Sequence, residues 1–228
     1  MPGLPGCDIW GADCVIHTLG TIHVSLVFLV HVSRSDCRLF WFAGEDSTPD
    51  GPSIGQSLRF RGSQYLNGDF SATTFTFSYW VKRGKLGSGI QYLQSSGASG
   101  LSFNEDHINY FNSSTSYIND IDYRDPSAWY HIVTSQTGVG TDTVRVYVNG
   151  VLQNTANGIA LTSSAGQFNI GRYYDGNYRF DGYIADFYAI DGQALEPSAF
   201  GELSADGVWV PREVSFAYGQ TRYSDYTY

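Results

Sequence analysis

From Ser57 onward the chain is a series of short apolar or alternating runs, each stopped by glycine, serine or asparagine, and this rhythm limits its fold more than any other feature. Ser57 to Phe60 (SLRF), Phe75 to Lys82 (FTFSYWVK), Ile90 to Gln94 (IQYLQ) and Ile108 to Phe111 (INYF) follow it. So do Trp129 to Ser135, Val144 to Val148, Phe168 to Gly171 and Tyr183 to Ile190. Runs of this length, rich in β-branched and aromatic residues and bounded by turn formers, read as strands. The join Val148-Asn149-Gly150-Val151 reads as a hairpin, because an Asn-Gly pair accepts the positive φ angles of a type I′ turn. Val144, Val146 and Val148 are then expected on one face, with Arg145 and Tyr147 on the other. No helical stretch separates successive strands as a parallel sheet would require. The expected fold is therefore all-β: a two-sheet antiparallel jelly roll, which leaves few open edges, with one short helix. That helix is expected over Glu196 to Leu203, where Pro197 stands near a first-turn position and Leu195, Ala199 and Leu203 recur at helical spacing.

The N-terminal part differs in composition. All three cysteines (Cys7, Cys14, Cys37) and three of the five histidines (His17, His23, His31) precede Ala43. This break marks an N-terminal appendage over 1–43, a linker over 44–56, a main domain over 57–211 and a tyrosine-rich tail over 212–228. An odd number of cysteines does not make a complete disulfide framework, so the main domain is expected to rest on its core. The apolar run Val15 to Val32 leaves three readings open: a membrane segment, a strand or hairpin, or an extension foreign to the fold. Its three histidines and the acidic Asp8 and Asp13 on its N-terminal side weigh against membrane insertion. Thirteen Lys and Arg residues against 22 Asp and Glu leave a formal charge of -9. Nucleic acid and anionic membranes are poor partners for such a chain, since both are bound by clustered cations.

The succession FTFSYWVKR, AWYHIVTS, VRVYVNGVLQ and FNIGRYYDGNYRFDGYIADFYAIDGQAL resembles, in order, the laminin-G-like branch of the concanavalin A-like lectin/glucanase superfamily, from about Ser57 to Phe200. Within that branch, the run from Phe180 to Pro211 is similar to the C-terminal part of modules in structural proteins of tailed phages, especially marine ones. The similarity breaks after Tyr218. The resemblance implies a concanavalin A-like sandwich serving as a recognition module on a virion surface or in an extracellular setting. Its implied partners are a glycan, a cell-surface receptor or other virion proteins.

An enzymatic role is not expected. Glucanases of that superfamily carry Glu-x-Asp-x-Glu on one strand, and retaining chemistry needs two carboxyl groups about 5 Å apart. The five glutamates, Glu45, Glu105, Glu196, Glu202 and Glu213, form no such triplet. Serine-nucleophile and P-loop motifs are missing too. His107 and His131 have no cysteine or second histidine at zinc spacing, and His131, in a strand beside Trp129 and Val133, reads as a satisfied core or surface histidine rather than a catalytic one. Trp80, Trp129 and Trp209, in strand-like surroundings, read as packing residues.

Two candidate sites share the loop GRYYDGNYRF. Tyr173, Tyr174 and Tyr178, with Asn177 and Arg179, offer rings for pyranose faces beside planar polar groups for hydroxyls. The bland alternative is that the tyrosines cap the core. Asp175, Asn177 and Asp181 offer hard oxygen ligands for Ca2+, against the ordinary reading of a tight turn. Asn119, Asp120 and Asp122 make a second oxygen-rich segment, and Asn104 with Asp106 a third.

Overall fold

The computed structural model describes residues 54, 56–87, 89–97, 99–113, 115–161 and 168–214. The appendage over 1–43 and the tail tyrosines lie outside the described residues. Among the described residues fourteen strands run in chain order: β1 (Leu58–Arg61), β2 (Leu66–Gly68), β3 (Phe75–Arg83), β4 (Ile90–Ser96), β5 (Ser99–Asn104), β6 (His107–Asn112) and β7 (Thr115–Asp122). They continue with β8 (Tyr130–Gln136), β9 (Gly140–Val148), β10 (Val151–Gly158), β11 (Phe168–Ile170), β12 (Asp181–Asp191), β13 (Gly201–Leu203) and β14 (Trp209–Pro211). Two six-stranded antiparallel sheets result. One has the order β1-β12-β3-β8-β9-β10 and the other β2-β11-β4-β5-β6-β7, with β13 and β14 paired apart.

The core lies between the sheets and is largely aromatic. Phe77 sits with its ring centroid 4.8 Å from Phe70, 4.8 Å from Phe75 and 5.2 Å from Phe168. Burying each such ring contributes roughly 2 to 3 kcal/mol, and offset ring pairs add to that. Val144, Val146 and Val148 join this core from β9, while Tyr147 points the other way, into a second cluster with Val133, Ile190 and Phe200. The hairpin between β9 and β10 turns through Asn149 (φ 49°) and Gly150 (φ 79°), both left-handed as a type I′ turn demands.

The helix expected over Glu196 to Leu203 is shorter than that span and of the 3-10 type. The chain makes one 3-10 turn, Pro197–Ala199, and then enters β13. Leu203 is 65% exposed, so the spacing that suggested an amphipathic stripe buries nothing at its end. Gly201 meanwhile backs onto the Trp209 indole, where a Cβ would lie 2.6 Å from the ring. That close approach draws the segment into extended pairing with β14.

Residues of the two other oxygen-rich segments take part in the framework of the fold. Asn119, Asp120 and Asp122 belong to β7, an edge strand, where polar side chains guard an open edge. The Asn119 amide accepts from Ile108 N at 3.0 Å and donates to the Tyr123 hydroxyl at 2.9 Å. Asp106 anchors a buried clamp around Arg83, which is 1% exposed. The Arg83 guanidinium donates to Asp106 at 2.9 Å, to the Tyr123 carbonyl at 2.7 Å and to the Glu105 carbonyl at 2.6 Å, and it lies over the Phe103 ring. Arg124 Nε and the Gly87 N–H complete the partners of Asp106. Burial alone would raise the Asp106 carboxyl, but hydrogen bonds from Arg124, Gly87 and Arg83 outweigh it and hold it at about 2.

Candidate functional site

The loop from Gly171 to Phe180 leaves β11, returns to β12 and stands beside β4. Its base is closed by Phe180 N donating to the Gly171 carbonyl at 2.9 Å, and it is stitched to β4 by Gly171 N to Leu93 O and Tyr92 N to Tyr178 O. Only glycine fits at 171: φ is +84°, and a Cβ would lie 2.5 Å from the Phe60 ring. The tip is a tight turn in which Tyr173 N donates to Asn177 O and Gly176 N to Tyr173 O, both at 3.0 Å. Asp175 Oδ1 accepts from Asn177 N at 2.9 Å, the local bond for which aspartate is selected in turns.

Arginines tie both flanks down. Arg172 lies over the Tyr65 ring and donates from Nε to Asn169 at 2.8 Å. Arg179 donates to the Ser63 carbonyl at 2.8 Å. Tyr178 has φ 51°, a left-handed conformation costing a non-glycine residue about 1 kcal/mol. Strain of this kind persists only where the surroundings impose it, and it concentrates at functional positions.

The result is an aromatic cluster. Tyr173 packs on Tyr92 and on Tyr174, each at 4.5 Å between centroids, and meets Tyr178 at 6.1 Å and Phe111 at 6.4 Å. Tyr92 and Phe111 alternate along β4 and β6 with the core residues Leu93 and Tyr110, so they stand on the outer face of their sheet. On that face Asn109, also flanked by core residues, has an Oδ1 with no hydrogen-bond donor among the described residues. The rings are graded in burial: Tyr92 is buried, whereas Tyr174 is 44% and Tyr178 49% exposed. Burial pushes the Tyr92 hydroxyl up, with Tyr173 and Tyr178 adding to the shift, and burial raises Tyr173 likewise. At neutral pH both hydroxyls are therefore protonated and can donate and accept.

The structure thus brings Tyr173, Tyr174, Asn177 and Tyr178 into one loop tip, with Arg179 at its base. The three residues read as calcium ligands come from two neighbouring segments. Asp175 and Asn177 share the turn, but Asp181 lies at the start of β12, where it pairs with Arg59 Nη2 at 2.7 Å. Among the described residues no group of three His, Cys, Asp or Glu side chains is placed to hold a metal ion. Tyr92 and Phe111 are the site residues the sequence reading passed over. Their alternation with Leu93 and Tyr110 is the signal that marks them as outward-facing.

His131 is far from this loop in role. Its Nδ1 accepts from Trp209 Nε1 at 2.9 Å and its Nε2 contacts Ser78 Oγ at 2.9 Å, with Trp80 stacked on the ring. It holds the β13 and β14 strap, with the 3-10 turn, against the outer face of the other sheet.

Residues 60–198 match a laminin-G-type family model described as the concanavalin A-like lectin/glucanases superfamily. No curated protein matches the chain. Among solved structures the chain is similar to domain 4 of AbnA, an extracellular GH43 arabinanase of Geobacillus stearothermophilus in complex with arabinotriose. That likeness has 20% identity and a TM-score of 0.49, over 64% of this chain and 75% of that one. Trypanosoma rangeli sialidase is similar at 17% identity and a TM-score of 0.42, over 64% of this chain and 27% of the sialidase. A botulinum neurotoxin type C structure, whose cell entry depends on two ganglioside molecules, matches at 14% identity and a TM-score of 0.39, over 55% of this chain and 34% of that one.

Proposed function

Because the chain belongs to the concanavalin A-like lectin/glucanase superfamily, we propose that it is a non-catalytic recognition module that binds a glycan through the Tyr173 to Arg179 loop. The observation that carries this reading is the pair of rings, Tyr174 and Tyr178, held out to solvent on a loop whose base is pinned by backbone hydrogen bonds and by Arg172 and Arg179. Rigid, exposed rings stack on the C–H faces of a pyranose at little entropic cost, and the Asn177 amide and the tyrosine hydroxyls supply partners for sugar hydroxyls. A non-catalytic role is supported by the lack of a Glu-x-Asp-x-Glu triplet in the sequence.

The test is a glycan array followed by isothermal titration of the best ligand. Tyr174→Ala is expected to weaken binding about fivefold to tenfold, from roughly 1 kcal/mol of stacking, and Asp175→Ala to weaken it by loosening the turn. Saccharide binding that is indifferent to both changes removes the loop from the site. Release of reducing ends from laminarin or agar overturns the non-catalytic reading.

A second reading, a structural or decoration subunit of a phage particle, rests on the likeness of Phe180 to Pro211 to phage modules. This run supplies β12, the 3-10 turn and the strap. Protein that stays monomeric and is missing from assembled particles removes it.

A further inference from the structure

A second feature adjoins the tyrosine loop. Between the segment after β1, the turn from β3 to β4 and the base of the loop opens a cleft of about 330 Å³, lined by Arg61, Gly62, Lys85, Ile90, Gln91, Arg179 and Asp181. The chain has 13 Lys and Arg residues against 22 acidic ones, and its only lysines are Lys82 and Lys85. Three cations on one small cleft are thus a concentration of the scarcer charge.

The acid among the lining residues does not neutralise them. Asp181 is paired with Arg59 at 2.7 Å, and among the described residues Arg61, Lys85 and Arg179 have no carboxylate within ion-pair distance. The segments that carry the cations are also held in place. The Arg61 backbone is fixed opposite Asp181 by the β1 and β12 register, and its side chain is exposed. The Lys85 carbonyl accepts from Arg83 Nη2 and from Gln91 Nε2, which fixes the backbone from which its ammonium projects. Arg179 is fixed by its bond to Ser63. Like charges gathered without a counter-ion repel one another, and a bound anion relieves that repulsion.

We infer that this cleft seats the acidic group, a carboxylate or sulfate ester, of a charged saccharide whose neighbouring ring stacks on the tyrosine loop. The inference rests on the glycan-binding reading and names its ligand class. Its chemistry follows from continuity: Arg179 lines the cleft and directly follows Tyr178 in the loop. The cleft is at the small end of ligand sites, with room for one acidic sugar unit. A polyanionic nucleic acid is disfavoured by the charge of -9 over the whole chain.

The experiment is isothermal titration of the full chain at low salt with two matched pairs: oligogalacturonate against its methyl ester, and carrageenan oligosaccharides against agarose oligosaccharides. Which pair responds tells carboxylate from sulfate. At least one acidic member is expected to bind about tenfold tighter than its neutral counterpart, a preference shrinking as salt rises. The double variant Arg61→Gln with Lys85→Gln, at two exposed positions, is expected to erase that preference and leave neutral affinity unchanged. Tyr174→Ala is expected to weaken both members of the pair. Equal binding of acidic and neutral forms, or a preference that survives the double variant, overturns the charged cleft and leaves the glycan reading standing. Failure of every saccharide to bind overturns both.

Discussion

At His131 two hydrogen bonds settle the protonation state. The indole N–H of Trp209 can only donate, so Nδ1 must accept, and the ring proton resides on Nε2 facing Ser78 Oγ. Burial alone, at 1% exposure, lowers its pKa from 6.5 to about 3. The unfolded chain therefore takes up a proton near pH 6.5 that the folded chain refuses until about pH 3. Stability contributed by the neutral ring is full above pH 6.5 and falls with acidity, by roughly 3 kcal/mol at pH 4. Urea denaturation between pH 7 and 4 checks this. His131→Gln should be less stable at pH 7 yet lose the slope between 6.5 and 4.5, and a flat curve for the unaltered protein would refute the account. Asp106 acts in a separate window: its lowered pKa supplies stability above about pH 4 that is lost as pH falls towards 2. The strand setting of His131 was legible and left core and surface equally open; its burial and its two partners were not, because Ser78 and Trp209 are brought to it from distant segments.

Among the elements, the Arg83 clamp binds the end of β3, the turn between β5 and β6, and the segment after β7. Removing one partner of a buried ion pair leaves the other charge unmatched, which is far costlier than loss of a surface pair. Asp106→Asn is expected to cost about 3 kcal/mol, read as a drop in the denaturation midpoint. A loss under about 1 kcal/mol would mean that the carbonyls of Glu105 and Tyr123 suffice. Nothing in the sequence singled out Arg83, since an arginine at a strand end is ordinarily a surface residue. The hairpin at Asn149 and Gly150 was legible because a two-residue turn is a local matter of backbone angles. β5 was not, because Ser99 and Gly100 look like a break. Gly100 instead makes room for Tyr92, whose ring would lie 2.9 Å from an added Cβ. β7 hid behind the polar residues that suit an edge.

For the whole molecule, the alternating pattern specified two antiparallel layers but not their order. The order depends on pairings between distant strands, such as β1 with β12, where Leu58 faces Ile184. Such closure must wait until most of the chain is in place. Refolding is expected at about one event per second or slower, followed by tryptophan fluorescence after denaturant dilution, and submillisecond folding would contradict it. The candidate site was legible only in part for a related reason. The loop residues are neighbours in sequence, whereas Tyr92, Phe111, Arg61 and Lys85 join them only once the layers are formed. The loop and the strap stand on opposite outer faces of the sandwich, so the body has a front and a back. Protein coupled to a bead through the turn at Ser204 to Gly207, the outer end of the strap, would present every tyrosine tip to the surrounding liquid, whereas random coupling would hide a share of them.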